Sequence, residues 1–130
     1  MAHRAIFFIS SAGYEAAYQA ASLGITASAM GDDVTFVFGF DALRALARDS
    51  FGAPLSDREK KEITRAEGAG IPTPTKMLSE ARSMGARVVA CDTTVKLCGL
   101  SEEALGGRLD EVVGLSQIWR LAHGARTLTF

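Results

Sequence analysis

Three short segments of this chain are apolar at almost every position, and each is followed by a stretch that favours a helix. They are residues 4–10, 33–39 and 87–91. Continuous rather than alternating apolar character is typical of strands in a parallel sheet that is buried on both faces. With a fourth strand over residues 126–130, the alternation of strands and helices predicts a three-layer α/β/α sandwich. Its sheet is expected to be mainly parallel and to contain four to five strands.

The first predicted helix, over residues 13–30, is unusual in composition. It carries no charged residue from Ala16 onwards, and alanine and serine dominate it. A helix that is uncharged nearly all round is usually covered on more than one side, and a second subunit is one such cover. A last helix is marked by an apolar series that runs from Val112 through Trp119. Trp119 in that series indicates either core or an interface.

The chain has 130 residues, a length that predicts a single domain over residues 1–130. Residues 49–75 differ from the rest because they are charged and contain several glycines and prolines. They are expected to form an exposed excursion over one edge of the domain. Within it, Ser56 and Glu59 fit a capping box that would start a short polar helix ending near Glu67. An excursion folded over a reactive site would also control access to that site.

Charge and hydropathy argue against several classes of partner. The 14 basic and 15 acidic residues give a net charge of −1, so there is no electrostatic reason to expect nucleic acid. The apolar run at the start is too short for a secretory signal, and no stretch reaches the roughly 18–20 apolar residues needed to span a bilayer. We therefore expect a cytoplasmic protein without membrane insertion.

His3 and His123 have no metal-ligand spacing, so neither a metal nor an organic cofactor is predicted.

Cys91 is the one strong nucleophile expected at the carboxyl edge of the sheet. Ligands and reactive groups collect at this edge in open α/β proteins. Free backbone N–H groups and the positive end of a following helix would favour a thiolate there. A free cysteine is also commonly a small buried hydrophobe. Position alone leaves both interpretations of Cys91 open.

Several polar side chains are expected at the same edge as candidate pocket residues. The turn at Ser10 and Ser11 favours helix capping over phosphate binding, because the segment lacks a Walker-type or GxGxxG pattern. Asp41 is the predicted N-cap of the second helix. Asp92 would cap the helix after Cys91, although its negative charge would oppose a thiolate. The candidate set is Ser10, Ser11, Phe40, Asp41, Asp92, Thr93 and Thr94.

The second cysteine, Cys98, is predicted to fill the core. A regular helix would separate the Cα atoms of Cys91 and Cys98 by about 10 Å, at roughly 1.5 Å per residue. A disulfide requires about 4.4–6.8 Å between its Cα atoms. A redox pair of the thiol-peroxidase kind would therefore require that residues 92–98 are not a regular helix.

Two stretches of the sequence resemble the DsrE/DsrF-like family. The first is the alanine-rich helix that ends at Ala29-Met30-Gly31, together with the strand and helix start over residues 34–41. The second is the helix–Gly–strand–Cys–helix–Gly pattern that runs over residues 78–105. The resemblance extends over nearly the whole chain apart from residues 49–75.

This resemblance implies a DsrEFH-like fold, flavodoxin-like in appearance, and a specific role for Cys91. In the family pattern, the cysteine that ends the strand accepts sulfane sulfur and passes it on as a persulfide. The chain departs from the pattern just after it, with Thr94-Val95 in place of a common Ser-Met pair. Cys98 stands where a methionine often precedes the glycine. Relatives commonly assemble as homotrimers, hexamers or mixed complexes.

The favoured hypothesis is an intracellular sulfur-transfer protein that uses Cys91 as its persulfide carrier. It would receive sulfur from a protein donor, deliver it to a protein acceptor, and form a homotrimer or homohexamer. The alternative is an oligomeric small-ligand-binding or assembly module on the same fold, with an inert Cys91. Alkylation of the native protein separates these two hypotheses.

Overall fold

The computed structural model describes residues 3–130, in which parallel strands alternate with helices. The strands are β1 Arg4–Ile9, β2 Asp33–Phe38, β3 Arg87–Cys91, β4 Glu111–Val113 and β5 Arg126–Thr129. The helices are α1 Tyr14–Ala29, α2 Phe40–Ala47, α3 Asp57–Gly68, α4 Pro74–Ser83, α5 Asp92–Leu97 and α6 Leu115–Ala122.

The five strands form one all-parallel sheet in the order β4-β3-β2-β1-β5. The chain moves outward from β1 to β4 and then returns across the sheet to place β5 on the other side of β1. Crossovers between parallel strands are right-handed, so a reversal of direction moves the connecting helix to the opposite face. Helix α6, which connects β4 to β5, accordingly lies opposite α1. The predicted three-layer α/β/α sandwich is confirmed.

The first face of the sheet carries the larger core. Phe7, Phe36 and Phe38 alternate inward from β1 and β2 and are at most 2% exposed. Small residues of α1 and α4, such as Ala20 and Ala81, allow these helices to approach the aromatic layer closely. Helix α1 also packs along α4. The second cover expected for the uncharged first helix is therefore α4 of the same chain.

The second face of the sheet is more sparsely covered. A smaller cluster of buried residues, including Ile6, Val89 and Cys91, packs against Ile118 of α6. Helix α6 has only eight residues, and it leaves Leu115 and Trp119 of its own surface 65% and 77% exposed. Trp119 is thus not a core residue, which leaves the interface as the remaining interpretation of the sequence pattern.

The structure corrects one element boundary. Val112 was expected to begin the last helix, but it lies in the edge strand β4, and α6 begins at Leu115. A three-residue strand is too short to show a period in sequence, and its pairing with β3 decides its conformation.

Most of residues 49–75 are exposed, but the buried Glu59 joins α3 to α1. Ser56 caps α3 as expected, since its hydroxyl accepts from the Glu59 backbone N–H at 3.2 Å. The Glu59 side chain, however, does not complete the capping box. It is 6% exposed and accepts from the backbone N–H groups of Leu55 at 2.7 Å and Glu15 at 2.8 Å. The carboxylate therefore caps the first turn of α1 from a neighbouring helix.

The longest helix within residues 3–130 is α1, with 16 residues. No helix in that range is long and apolar enough to cross a membrane.

Close packing of α1 on the sheet predicts opposite effects of the same substitution at two helical glycines. A Cβ at Gly24 would overlap the ring of Phe36, whereas a Cβ at Gly68 would meet nothing within 4 Å. Alanine gains up to about 1 kcal/mol of helix propensity over glycine, but overpacking costs about 1–3 kcal/mol. We expect Gly24→Ala to lower the free energy of unfolding and the matched Gly68→Ala to leave it unchanged or raise it. Urea denaturation of both variants measures this, and equal effects would contradict the packing argument.

The Glu59 contacts predict a pH-dependent contribution to stability. Burial alone would raise the pKa of Glu59, but hydrogen bonds from the backbone N–H groups of Glu15, Leu55 and Tyr14 lower it below its ordinary value. A depressed carboxyl pKa stabilises the fold above the unfolded-state pKa, and the contribution is lost as the pH falls through the folded-state value.

We expect Glu59→Gln to cost about 2 kcal/mol at neutral pH, the usual scale for hydrogen bonds to a charged group. The cost should shrink as the pH falls below about 4.5. Denaturant titrations from pH 3 to 7 test this, with exposed Glu67→Gln on the same helix as the control. A cost that does not change with pH would show that the carboxylate charge is not what stabilises α1.

Candidate functional site

Cys91 lies where β3 meets α5, on the sparsely covered second face of the sheet. It is the last residue of β3 and the N-cap position of α5, and it is 5% exposed. Its neighbours in the buried cluster include Val37, Val113 and Ile118. The strand ends here because the next six residues form the α5 helix, which packs its Val95 into the core of the first face. The thiol thus lies at the carboxyl edge, as predicted.

A pocket of about 220 Å³ opens onto Cys91 at this edge. It is formed by the ends of β1 and β2 and by the first residues of α2 and α6, with one residue from α5. Its lining is Phe8, Ile9, Ser10, Val37, Phe38, Gly39, Phe40, Cys91, Thr94, Leu115 and Ile118. None of these residues is charged. The pocket is therefore an apolar recess with a cysteine in its wall.

The structure brings together only part of the predicted pocket set. Ser10, Phe40 and Thr94 line the recess with Cys91. Four other candidates do not line it: Ser11, Asp41, Asp92 and Thr93. Leu115, on α6, was not predicted as a site residue. Its contribution depends on the crossover that returns α6 to the Cys91 side of the sheet, which no local pattern encodes.

Asp92 and Thr93 lie beside the recess. The Asp92 carboxylate accepts from the Thr93 backbone N–H at 2.7 Å, so it bonds within the first turn of α5 rather than at an N-cap. The Cys91 thiol donates to the same carboxylate oxygen, with 3.8 Å between Sγ and Oδ1.

Asp41 does not cap α2 as predicted. The helix begins at Phe40, with Gly39 in the N-cap position and no side-chain cap. Asp41 instead points to solvent and forms an ion pair with Arg44 at 2.8 Å. Arg44 also donates to Cys98 Sγ at 3.3 Å. The prediction failed because the N-cap position lies two residues earlier, at Gly39, and the chain enters the helix through an unusual backbone conformation at Phe40.

Cys98 is separated from Cys91 by the intact helix α5 and by the sheet. Cys98 follows that helix at its C-cap and packs against the core of the first face, whereas Cys91 belongs to the cluster of the second face. Both thiols are free. The regular helix keeps their Cα atoms about 10 Å apart, beyond the reach of a disulfide. The geometry thus opposes a resolving role for Cys98.

The turn at Ser10 and Ser11 is not a side-chain cap for α1. Gly13 occupies the N-cap position, and no hydroxyl of the turn bonds to the helix. The backbone N–H groups of Ser10 and Ser11 instead donate to the Phe130 carbonyl at the end of the sheet. The Glu59 carboxylate already fills the anion position at the start of α1. This arrangement argues against a phosphate site there.

A second and larger cavity lies on the other side of the carboxyl edge. It is a groove of about 800 Å³ between α1, α3 and the end of β5, where the direction of the strand order reverses. Tyr14, Tyr18 and Phe130 supply aromatic surface, and Glu15 and Glu62 supply acidic groups. Burial, together with hydrogen bonding and repulsion from Glu15, raises the pKa of Glu62.

Residues 49–75 form one wall of this groove and contribute nothing to the lining of the Cys91 recess. The excursion therefore does not cover the Cys91 recess, a possibility that the sequence had left open. The capping-box signal located α3 correctly, but it did not indicate that Glu59 would bond to α1.

Histidines near the opposite edge of the sheet do not assemble a metal site. His3 and His123 line one shallow pocket with Asp33. Within residues 3–130, no group of three or more His, Cys, Asp or Glu side chains has a metal-binding arrangement.

Solved structures with the same architecture include three proteins of low sequence identity. The ychN protein from E. coli is 19% identical, with full coverage of both chains and a TM-score of 0.67. A protein of unknown function from Methanobacterium thermoautotrophicum is 18% identical, with 98% of this chain and 99% of that chain covered and a TM-score of 0.63. A conserved protein of unknown function from Bacteroides thetaiotaomicron is 10% identical, with coverages of 98% and 94% and a TM-score of 0.63. At these identities the likeness establishes the shared fold.

Comparison with curated proteins gives no match. Comparison with protein families matches residues 3–130, which include the α5 region and the Cys91 recess, to the DsrE/DsrF-like family. The strand–cysteine–helix arrangement at Cys91 lies within this match, and the solved structures above share the surrounding sheet. The chain therefore belongs to the DsrE/DsrF-like family.

Proposed function

We propose that this protein transfers sulfur and that Cys91 carries the sulfur as a persulfide. The observation that carries the proposal is the position of the thiol. In a member of the DsrE/DsrF-like family, Cys91 lines an apolar recess at the carboxyl edge of a parallel sheet. Reactive groups of open α/β folds collect at this edge.

The chemistry requires only thiols and a sulfane sulfur donor. The Cys91 thiolate attacks the outer sulfur of a donor persulfide, a new S–S bond forms on Cys91, and the donor leaves as a thiolate. In the second step an acceptor thiolate attacks the outer sulfur of the Cys91 persulfide, and Cys91 leaves as a thiolate. The two steps move one sulfur atom without net oxidation. A reducing compartment such as the cytoplasm keeps both cysteines of the chain free for this exchange.

The recess suits a small neutral group better than a large charged one. Its volume of about 220 Å³ accommodates one added sulfur, and its lining offers no charged side chain to an anionic donor. The hydroxyls of Ser10 and Thr94 are among its few polar groups. We therefore propose that protein persulfides, which can place the reacting sulfur alone into the recess, serve as donor and acceptor.

Persulfide loading gives a direct prediction. After incubation of the native protein with a persulfide donor, we expect a mass gain of one sulfur, about 32 Da, that a reductant removes. The gain should disappear in Cys91→Ser and remain in the matched Cys98→Ser variant, because Cys98 lies against the other core. Intact-mass spectrometry of the three proteins measures this.

Two outcomes of that experiment would contradict the carrier proposal. One is equal loading of Cys91→Ser and wild type. The other is no loading of the wild type together with a Cys91 thiol that reacts with iodoacetamide only after unfolding. The second outcome would support the inert-thiol alternative.

The alternative function is a small-ligand-binding module, and the large groove favours it. Ligands of open α/β folds commonly bind where the strand order reverses, and the groove of about 800 Å³ lies at that point beside β1 and β5. Its volume is within the range of ordinary small-molecule sites. It lies away from Cys91, so ligand binding there would leave the thiol without a role.

We further propose that the protein forms a homo-oligomer, a trimer or hexamer, through the second face of the sheet. Helix α6 is the only helix that packs a buried residue onto that face within residues 3–130, and Leu115 and Trp119 project from it into solvent. Exposed tryptophan is enriched among the residues that dominate binding energy at interfaces. Common assembly of relatives, implied by the family resemblance, supports the same proposal.

The oligomer proposal predicts that Trp119→Ser lowers the native mass. Loss of this side chain should shift the assembly towards smaller species while the circular dichroism stays unchanged, because Trp119 is not part of the core. The matched control is Met30→Ser, which removes an 80% exposed apolar side chain at the far end of α1. Light scattering after size exclusion measures both. A monomeric wild type, or equal effects of both variants, would contradict the proposal.

A further inference from the structure

The residue that joins β2 to α2 has a backbone conformation that is unfavourable for its side chain. Phe40 has φ of +48°, in the left-handed region. Only one other non-glycine residue within 3–130 has a positive φ, namely Asp49 at +55°. Aspartate tolerates this region because its short polar side chain bonds locally, whereas a bulky aromatic residue there is an outlier.

Anchors on both sides hold Phe40 in this conformation. The Gly39 backbone N–H donates to the Ile9 carbonyl at 2.9 Å, and the Ala42 N–H donates to the Ser10 carbonyl at 3.1 Å. Phe38 before the turn and Ala42 after it are fully buried. The chain must therefore pass from the sheet into α2 within a fixed distance, and Phe40 takes up the change of direction.

The ring gains little from packing in return. Phe40 is 48% exposed and contributes to the lining of the Cys91 recess, as does Leu115. Glycine would meet the backbone requirement at this turn without a steric cost. The presence of phenylalanine at this strained and half-exposed position is explained if its ring has a role in the recess. Residues with strained backbone conformations cluster at functional sites.

We propose that Phe40 is the specificity-determining residue of the recess and that its ring admits slim groups to Cys91 and excludes wide ones. This inference deepens the proposed function and rests on it for its biological meaning. The half-exposed ring of Phe40 lines the recess together with the apolar side chains of Leu115 and Ile118. In this proposal the ring narrows the way from solvent to the thiol. A sulfur atom carried on an extended side chain would pass, whereas a ring or a branched group would not.

The test uses alkylation, which does not depend on persulfide chemistry. Rate constants for iodoacetamide and N-ethylmaleimide are measured on the full chain in a Cys98→Ser background. Both reagents are neutral, and the maleimide ring is the wider of the two. Because they react by different mechanisms and at different intrinsic rates, the ratio of their rate constants is compared between each variant and the wild type. We expect Phe40→Ala and Phe40→Gly to raise the ratio of maleimide to iodoacetamide rates by about tenfold, at the low end of what pocket shape commonly provides. Phe40→Tyr, which retains the ring, should keep the wild-type ratio.

Controls separate access from folding. Met30→Ala removes an exposed apolar side chain far from the recess and should not change the ratio. Phe40→Gly should melt at a temperature at least as high as Phe40→Ala, because glycine relieves the left-handed strain. This pair keeps the test valid if the alanine variant folds poorly.

The outcomes distinguish this inference from the proposed function. An unchanged ratio in both Phe40→Ala and Phe40→Gly would overturn the role of the ring, even if Cys91 carries sulfur. A raised ratio with no persulfide loading would support the role of the ring and reject sulfur transfer. Resistance of wild-type Cys91 to both reagents would also overturn the inference, because the ring would then not admit the slimmer one.

Discussion

The pairing of β1 on both of its sides is the interaction on which the rest of this structure depends. β1 bonds to β2 along one edge and to β5 along the other, and Phe7 at its centre stacks on Phe130 and packs against Phe36. Its last residues then organise the carboxyl edge. The Ile9 and Ser10 carbonyls accept from the turn into α2, and the Ser10 N–H donates to the Phe130 carbonyl at 2.9 Å. The parallel sheet thereby sets the positions of both cavities.

The reversal of strand order at β1 divides the molecule into unequal halves. One face of the sheet supports the extensive α1 and α4 packing, in which the ring of Phe36 lies directly beneath Gly24. The other face carries the short α6 and the Cys91 cluster. A thinly covered face brings the thiol close to solvent without exposing it. It also leaves Trp119 without a partner within residues 3–130, which is why a reactive recess and an interface are proposed on the same side.

Helices α1 and α2 both begin at the carboxyl edge of the sheet, but the chain enters them in different ways. At α1, the backbone N–H of Glu15 in the first turn donates to the carboxylate of Glu59, which belongs to the charged excursion. At α2, no side chain caps the helix, and the chain enters it through the left-handed Phe40. Because the Glu59 carboxylate occupies the position at the start of α1 where an anion would bind, this arrangement argues against phosphate binding there. The entry into α2 places an aromatic ring at the recess that contains Cys91.

The sequence by itself determined the strands β1, β2 and β3, because a short apolar segment followed by a helical stretch is typical of a buried parallel strand, and it placed Cys91 at the end of one of them. The alternation of strands and helices also predicted β5. The sequence also located α3, since the Ser56–Glu59 spacing is a local signal. Tertiary structure alone decided where Glu59 bonds, that β4 forms at all, and that Leu115 lines the same recess as Cys91. These features depend on residues that are far apart in the chain. They follow from the order of the strands in the sheet, which produces no periodic pattern in the local sequence. For the same reason, Asp41 and Ser11 were predicted at the site: their positions at strand ends were correct, but the direction of each side chain depends on how the next helix begins.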